Sequence, residues 1–210
     1  MNILDQINEF NFIRNVFPGD IITEEGIKTI GIHKNKAIIT GKLFKTGKIL
    51  FIFSKTSKYH PELNDIVIGR IFSVQPTHYK VNITHDDLRL PLYTGILDQL
   101  SFENATKRNK PELEIGDLVL CKITDMKKND MQIDELLLSC NQPGLGQIQN
   151  VFRMERWKVV LLHFLNIKKE ICKNFTTTKK FKIALSMNGH VCVESEEFLE
   201  IKEAILKIIK

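Results

Sequence analysis

Few residues in this chain stand at spacings that could perform chemistry. His85-Asp86-Asp87 could supply metal ligands or a carboxylate pair, but adjacent polar residues between two strand-like runs read first as a solvated turn. The stretch Gly41-Lys42-Leu43-Phe44-Lys45-Thr46-Gly47-Lys48-Ile49 superficially suggests a phosphate loop. Its glycines are separated by five residues instead of four, and Ile49 stands where the magnesium-binding hydroxyl belongs, so a lysine-rich hairpin is expected. Cys121, Cys140, Cys172 and Cys192 form no C-x-x-C pair, which favours reduced, buried thiols over a zinc ribbon or a redox site. The histidines are scattered, and no H-E-x-x-H, G-x-S-x-G or nucleophile-with-base pattern occurs. No catalytic residue, metal or cofactor is therefore expected.

The cations are placed for a different task, contact with a polyanion. Thr106-Lys107-Arg108-Asn109-Lys110-Pro111 packs three of them into four residues just before a strand-like run, where flexible cations at a barrel rim can replace the counterions condensed on phosphates. Arg70, Phe72 and Tyr79 fall on two successive strand-like runs, a region that OB folds use for stacking bases. Arg70 and Phe72, two apart, share a face with Ile66, Ile68 and Val74, which gives Phe72 a competing place in the core. Lys127-Lys128 sits in a turn that OB proteins often use to clamp a ligand, with its field diluted by Asp125 and Asp130. The expected RNA-contacting set is Lys107, Arg108, Lys110, Arg70, Tyr79, Phe72, Lys127 and Lys128.

The elements that must position these side chains are legible in the punctuation. Pro18-Gly19-Asp20, Leu63-Asn64-Asp65 and Ile115-Gly116-Asp117 are each followed at once by an aliphatic run, the way a strand enters a small barrel. Residues 1–56, with short apolar runs such as Lys36–Thr40 and Ile49–Phe53, read as a small β domain. Residues 57–143 read as a five-stranded OB barrel with strands near 65–74, 79–83, 90–97, 117–124 and 135–140. Residues 144–210 read as strand 147–151, helices 156–165 and 167–175, a hairpin 181–185/190–193 across Asn188-Gly189, and a last amphipathic helix from about Glu197. That is the element order of a KH-type domain. The fold class is thus mostly β with a C-terminal α+β part.

Composition agrees with packed domains: 43% hydrophobic and 26% charged residues lie far from the disordered corner. No apolar run approaches the roughly 18 residues of a membrane span, and the first residues lack a basic leader, so a soluble intracellular protein is expected. The net charge of +5 is unevenly spread. Lys and Arg outnumber Asp and Glu by 8 to 5 over residues 1–56 and by 12 to 7 over 144–210, but trail 10 to 13 over 57–143. The G-x-x-G loop with which a KH domain grips nucleotides is missing from Phe164-Leu165-Asn166-Ile167-Lys168-Lys169, so that module is expected to serve packing or subunit contact.

Three segments carry a family resemblance. Tyr59–Ile71 resembles the start of the S-one-type RNA-binding barrel of RNA exosome cap subunits, Phe102–Pro111 resembles the signature of the "Rrp forty" type, and Ser186-Met187-Asn188-Gly189 resembles the G-x-N-G element of its KH domain. The resemblance implies a non-catalytic subunit that helps hold a ring of RNase-PH-like proteins together and guides single-stranded RNA to a separate 3′-to-5′ exoribonuclease. It also implies partners among ring and cap subunits, a role in RNA degradation and rRNA processing, and residence in nucleus, nucleolus and cytoplasm. Two positions depart from the pattern: Ser186 stands for the usual glycine and Cys192 for the usual tryptophan, so the hairpin is expected to pack differently. The competing readings are a free-standing RNA-binding regulator such as a translation factor and, more remotely, a hydrolase built on His85, Asp86 and Asp87.

Overall fold

A computed structural model describes residues 11–24, 28–46, 49–54, 59–84, 93–129, 132–164 and 181–208. The chain divides into two compact units, residues 1–57 with 199–210, and residues 58–198. In the first, β1 (Asn11–Val16), β5 (Gly41–Thr46), β6 (Ile49–Phe53) and β2 (Lys28–Ile30) form a four-stranded sheet in the order β1-β5-β6-β2, while β3 (Ile32–His33) and β4 (Lys36–Ala37) pair separately. Its core gathers Val16, Ile22, Ala37, Leu43, Leu50 and Ile52. Gly41–Thr46 and Ile49 therefore belong to the antiparallel β5 and β6, as expected from the failed phosphate-loop spacing.

The larger unit is built on a closed barrel. β7 (Ile66–Val74), β8 (His78–Asn82), β9 (Thr94–Phe102), β11 (Gln132–Cys140) and β10 (Leu118–Asn129) pair in that cyclic order, and the β10–β11 ladder closes the circle. β9 and β11 run parallel and every other neighbour in the circle antiparallel, the Greek-key arrangement of an OB fold. Closure gives each of the five strands a neighbour on both sides. Inward positions follow the two-residue period: Val67, Ile71, Tyr79, Val81, Leu97, Val119, Cys121, Ile123, Leu136, Leu138 and Cys140 share one core. The third strand begins at Thr94 and extends to Phe102, later than expected, and the fourth continues to Asn129.

The three Gly-Asp-like punctuation marks fold alike. Gly19, Asn64 and Gly116 all take left-handed φ values, of 96°, 71° and 104°. The aspartate after each closes the turn by accepting from the backbone N–H three residues earlier: Asp20 from Phe17 at 2.9 Å, Asp65 from Glu62 at 3.2 Å and Asp117 from Glu114 at 2.9 Å. In return each aspartate N–H donates to the carbonyl of that same residue.

Beyond the barrel the expected leading strand is split. β12 (Gly146–Ile148) extends the barrel sheet along β10, and β13 (Val151–Arg153) starts a second sheet of order β13-β15-β14, with β14 (Lys182–Leu185) and β15 (His190–Glu194). The break falls at Asn150, whose φ of 52° redirects the chain. Helix α1 (Arg156–Phe164) matches its expected span, and α2 (Phe198–Ile208) buries Ile201 and Ile205. The expected helix 167–175, the residues of the junction loop after Phe164, and Cys172 lie outside the described residues. Among the described residues no helix is long and apolar enough to cross a membrane.

Candidate nucleic-acid interface

The cation-rich segment is a stapled loop. Between β9 and β10, Thr106 and Asn109 exchange backbone hydrogen bonds of 3.0 and 3.1 Å, and the Thr106 hydroxyl also accepts from the Asn109 N–H. Lys107 and Arg108 occupy the two tip positions of this tight turn, both exposed, and no ion pair or hydrogen bond holds either side chain among the described residues. Lys110 is exposed too, but its ammonium donates to Gln99 Oε1 at 3.1 Å, a neutral acceptor that leaves its charge uncompensated.

Tyr79 requires a correction. It was expected as a stacking platform, yet its ring is only 2% exposed and packs edge-on against Phe102, with centroids 6.4 Å apart. Its hydroxyl reaches out of the core to donate to the Pro111 carbonyl at 2.6 Å. The residue touches the loop and does not present a face to a base. The alternation that buries Tyr79 and Val81 turns Lys80 outward, exposed between Ser73 of β7 and Ile96 of β9, a cation that sequence reasoning passed over although the two-residue period identifies it.

Arg70 and Phe72 are both exposed on the outer face of β7, Phe72 by 40%. Their face was expected to compete for the core. Instead it divides along its length: Ile68 is buried by the C-terminal hairpin, in a cluster with Leu120, Ile148 and Cys192, while Arg70, Phe72 and Val74 stay clear of it. A register shift between Ile71 and Ser73 sets Phe72 at a bulge. Arg70, Phe72 and Lys80 thus share the outer surface of β7 and β8.

The lysine turn does not join them. Lys127 lies near the far end of β10 from the stapled loop, and its ammonium pairs with Glu135 of β11 at 3.0 Å, which further dilutes its field. Lys128 is placed on the same strand, and its side chain lies outside the described set, as do Asp130 and His85 to Asp87.

Three of the bonds that join the barrel to the C-terminal hairpin come from one side-chain amide. Asn188, fully buried in the β14–β15 turn, donates from Nδ2 to the carbonyls of Ile68 (2.7 Å) and Ile83 (2.9 Å) and accepts from the Ile68 N–H (3.1 Å). It supplies the pairing that β8 no longer provides beyond Asn82. Met187 N–H adds a bond to the Ile66 carbonyl at 2.8 Å. Both departures from the expected motif are accommodated here. The Ser186 hydroxyl closes the turn by donating to the His190 carbonyl (2.8 Å) and accepting from its N–H (3.0 Å), and the Cys192 thiol donates to the Gln149 carbonyl at 3.3 Å.

A second polar knot lies at the barrel entrance. Tyr59 donates to Asp65 Oδ2 at 2.8 Å, and the Arg156 guanidinium of α1 lies over the Tyr59 ring, 5.4 Å from its centroid, while its Nε donates to the Met187 carbonyl. Burial pushes the Asp65 carboxyl up to about 6, against the opposing pull of the Tyr59 hydrogen bond.

Residues 59–146, the span from this knot through the stapled loop to the start of β12, match the family model of the exosome complex component RRP40 S1 domain. Over that span the chain is similar to the S1 domain of Rrp40. Similar curated relatives are the exosome complex component rrp40 of Schizosaccharomyces pombe, 27% identical over 91% of this chain and 85% of that one, and the rrp40 of Dictyostelium discoideum, 29% identical over 86% and 78%. A crystal structure of an exosome complex RNA-binding protein shares the fold, with a TM-score of 0.53 at 23% identity over 72% of this chain and 85% of that chain. The Rrp40 match thus covers the barrel that carries the stapled loop and the outer cations.

Proposed function

We propose that this chain is a non-catalytic cap subunit of an RNA exosome: it binds single-stranded RNA on its S1-type barrel, guides the strand to a separate 3′-to-5′ exoribonuclease, and stabilises the ring of RNase-PH-like subunits on which it sits. The three modules of this reading are residues 1–56, 57–143 and 144–210. Membership of the exosome is supported by the names of its Rrp40 relatives. RNA processing and degradation, including rRNA maturation in nucleus, nucleolus and cytoplasm, are the setting that such membership entails. Exposed apolar side chains, Phe12, Phe17 and Ile21 in the first unit and Phe72, Leu100 and Ile115 in the second, support an assembled state in which neighbours cover part of this surface.

The observation that carries the RNA reading is the Thr106–Asn109 turn, which holds two uncompensated cations at its tip. The expected contacts are Lys107, Arg108 and Lys110 with phosphates and Arg70 and Phe72 on the flank, joined by Lys80. In the assembled complex, Lys107→Ala with Arg108→Ala is expected to weaken binding of a single-stranded oligoribonucleotide and to make the slope of log K against log salt shallower by about 1.4, two phosphate contacts at about 0.7 each. An unchanged slope in that titration removes the loop from the RNA path.

A further inference from the structure

We infer that Tyr79 and Gln99 are positioning residues for a phosphate-binding turn, holding Lys107 and Arg108 as a pre-formed clamp for two neighbouring phosphodiesters of single-stranded RNA. This rests on the function proposed above and adds which groups set the geometry of the site.

The ten residues between buried Phe102 and buried Leu113 cross the surface with no strand ladder to hold them. Two adjacent cations at the tip repel one another, and a loop free to relax would spread them and pay its ordering entropy whenever RNA arrived. Two side chains from the barrel prevent this. The Tyr79 ring is locked in the core, so its hydroxyl is a fixed donor, and the carbonyl it holds at 2.6 Å belongs to Pro111, whose own φ is locked by its ring. Gln99 is fixed in turn: its N–H donates to the Thr77 carbonyl and its Nε2 to the Gln75 carbonyl, both at 3.1 Å, which leaves Oε1 aimed at Lys110. The reciprocal Thr106–Asn109 bonds then leave Lys107 and Arg108 as the two outward positions. A buried tyrosine that reads as a poor base platform is accounted for as the staple of the adjacent clamp.

The test is a double-mutant cycle on the assembled exosome, with a fluorescent oligouridylate as the probe and anisotropy read across a salt series. Tyr79→Phe keeps the ring and removes only the hydroxyl. It is expected to weaken binding about 3- to 10-fold with an unchanged salt slope, since the same phosphates are neutralised. This loss should vanish when Lys107 and Arg108 are already alanine. Gln99→Met is expected to behave the same way and serves if Tyr79→Phe does not fold. Wild-type affinity for both variants, with the Lys107/Arg108 variant still impaired, overturns the staple while leaving the RNA site standing. A loss that persists undiminished in the Lys107/Arg108 background marks a merely structural tyrosine and also overturns it. If replacing Lys107 and Arg108 changes nothing, the RNA site itself fails and the inference with it.

Discussion

Asn188 shows how much of this molecule rests on a single side chain. Its buried amide satisfies three backbone groups, two on Ile68 of β7 and one on Ile83 just past β8, and a buried backbone group left without a partner costs on the order of 1–3 kcal/mol. Asn188→Ala is expected to destabilise the chain by about 3 kcal/mol or more, read from urea denaturation midpoints. Asn188→Asp should be no better, because a carboxylate would face the Ile68 and Ile83 carbonyls. Asp65 offers a pH-dependent counterpart. Its folded value of about 6 lies above its unfolded value near 3.8, so the folded chain holds the proton more tightly and the stability this brings is present below about pH 4 and lost as pH rises through 6. Tyr59, Glu62 and Arg156 are the polar groups that bear on it. Asp65→Asn, which cannot ionise, is therefore expected to gain about 2 kcal/mol on the wild type between pH 4 and pH 7 in the same measurement. A pH-independent difference would contradict this account of the buried carboxyl.

At the scale of elements, the repeated turn is the informative unit. One device, a left-handed residue followed by a capping aspartate, leads into β7 and β10, whereas after Gly19-Asp20 the expected strand reduces to a single bridge between Ile21 and Lys36. At Gly116 a Cβ would meet nothing within 4 Å, so the penalty for a side chain there is backbone strain alone. Gly116→Ala is expected to cost about 1–2 kcal/mol in thermal unfolding, whereas Asn64→Gly at the equivalent place should be close to neutral. The recurrence of these marks was plain in the sequence, and so were the barrel strands, because each alternates around an aliphatic run. What alternation could not supply was which face of β7 looked outward. Ile66, Ile68, Arg70, Phe72 and Val74 form one mixed row, and only the arrival of the C-terminal hairpin singles out Ile68 as packed while the others stay exposed.

At the scale of the whole molecule, the proposed RNA binding has to contend with the charge balance of the barrel. The barrel segment carries 10 Lys and Arg against 13 Asp and Glu, so the turn at Lys107 and Arg108 works against a net acidic background. The isolated chain is expected to bind single-stranded RNA no more tightly than micromolar at physiological salt, with tighter binding gained only when other subunits contribute cations. Nanomolar binding by the chain alone, measured by anisotropy, would place more of the path on this subunit than its charge allows.

The sequence by itself determined the elements, the turns that join them and the cation-rich segment, because these follow from local periodicity, from residues that tolerate left-handed backbone and from the spacing of like charges. Only the tertiary structure decided what the side chains do. Tyr79 and Lys80 are neighbours in one strand, and barrel closure made the first a staple and the second a surface cation. Asn188 reads as a hairpin turn residue until the fold brings it to Ile68, 120 positions away. Hydrogen bonds of that span depend on where strands end in space, and local pattern carries no record of it.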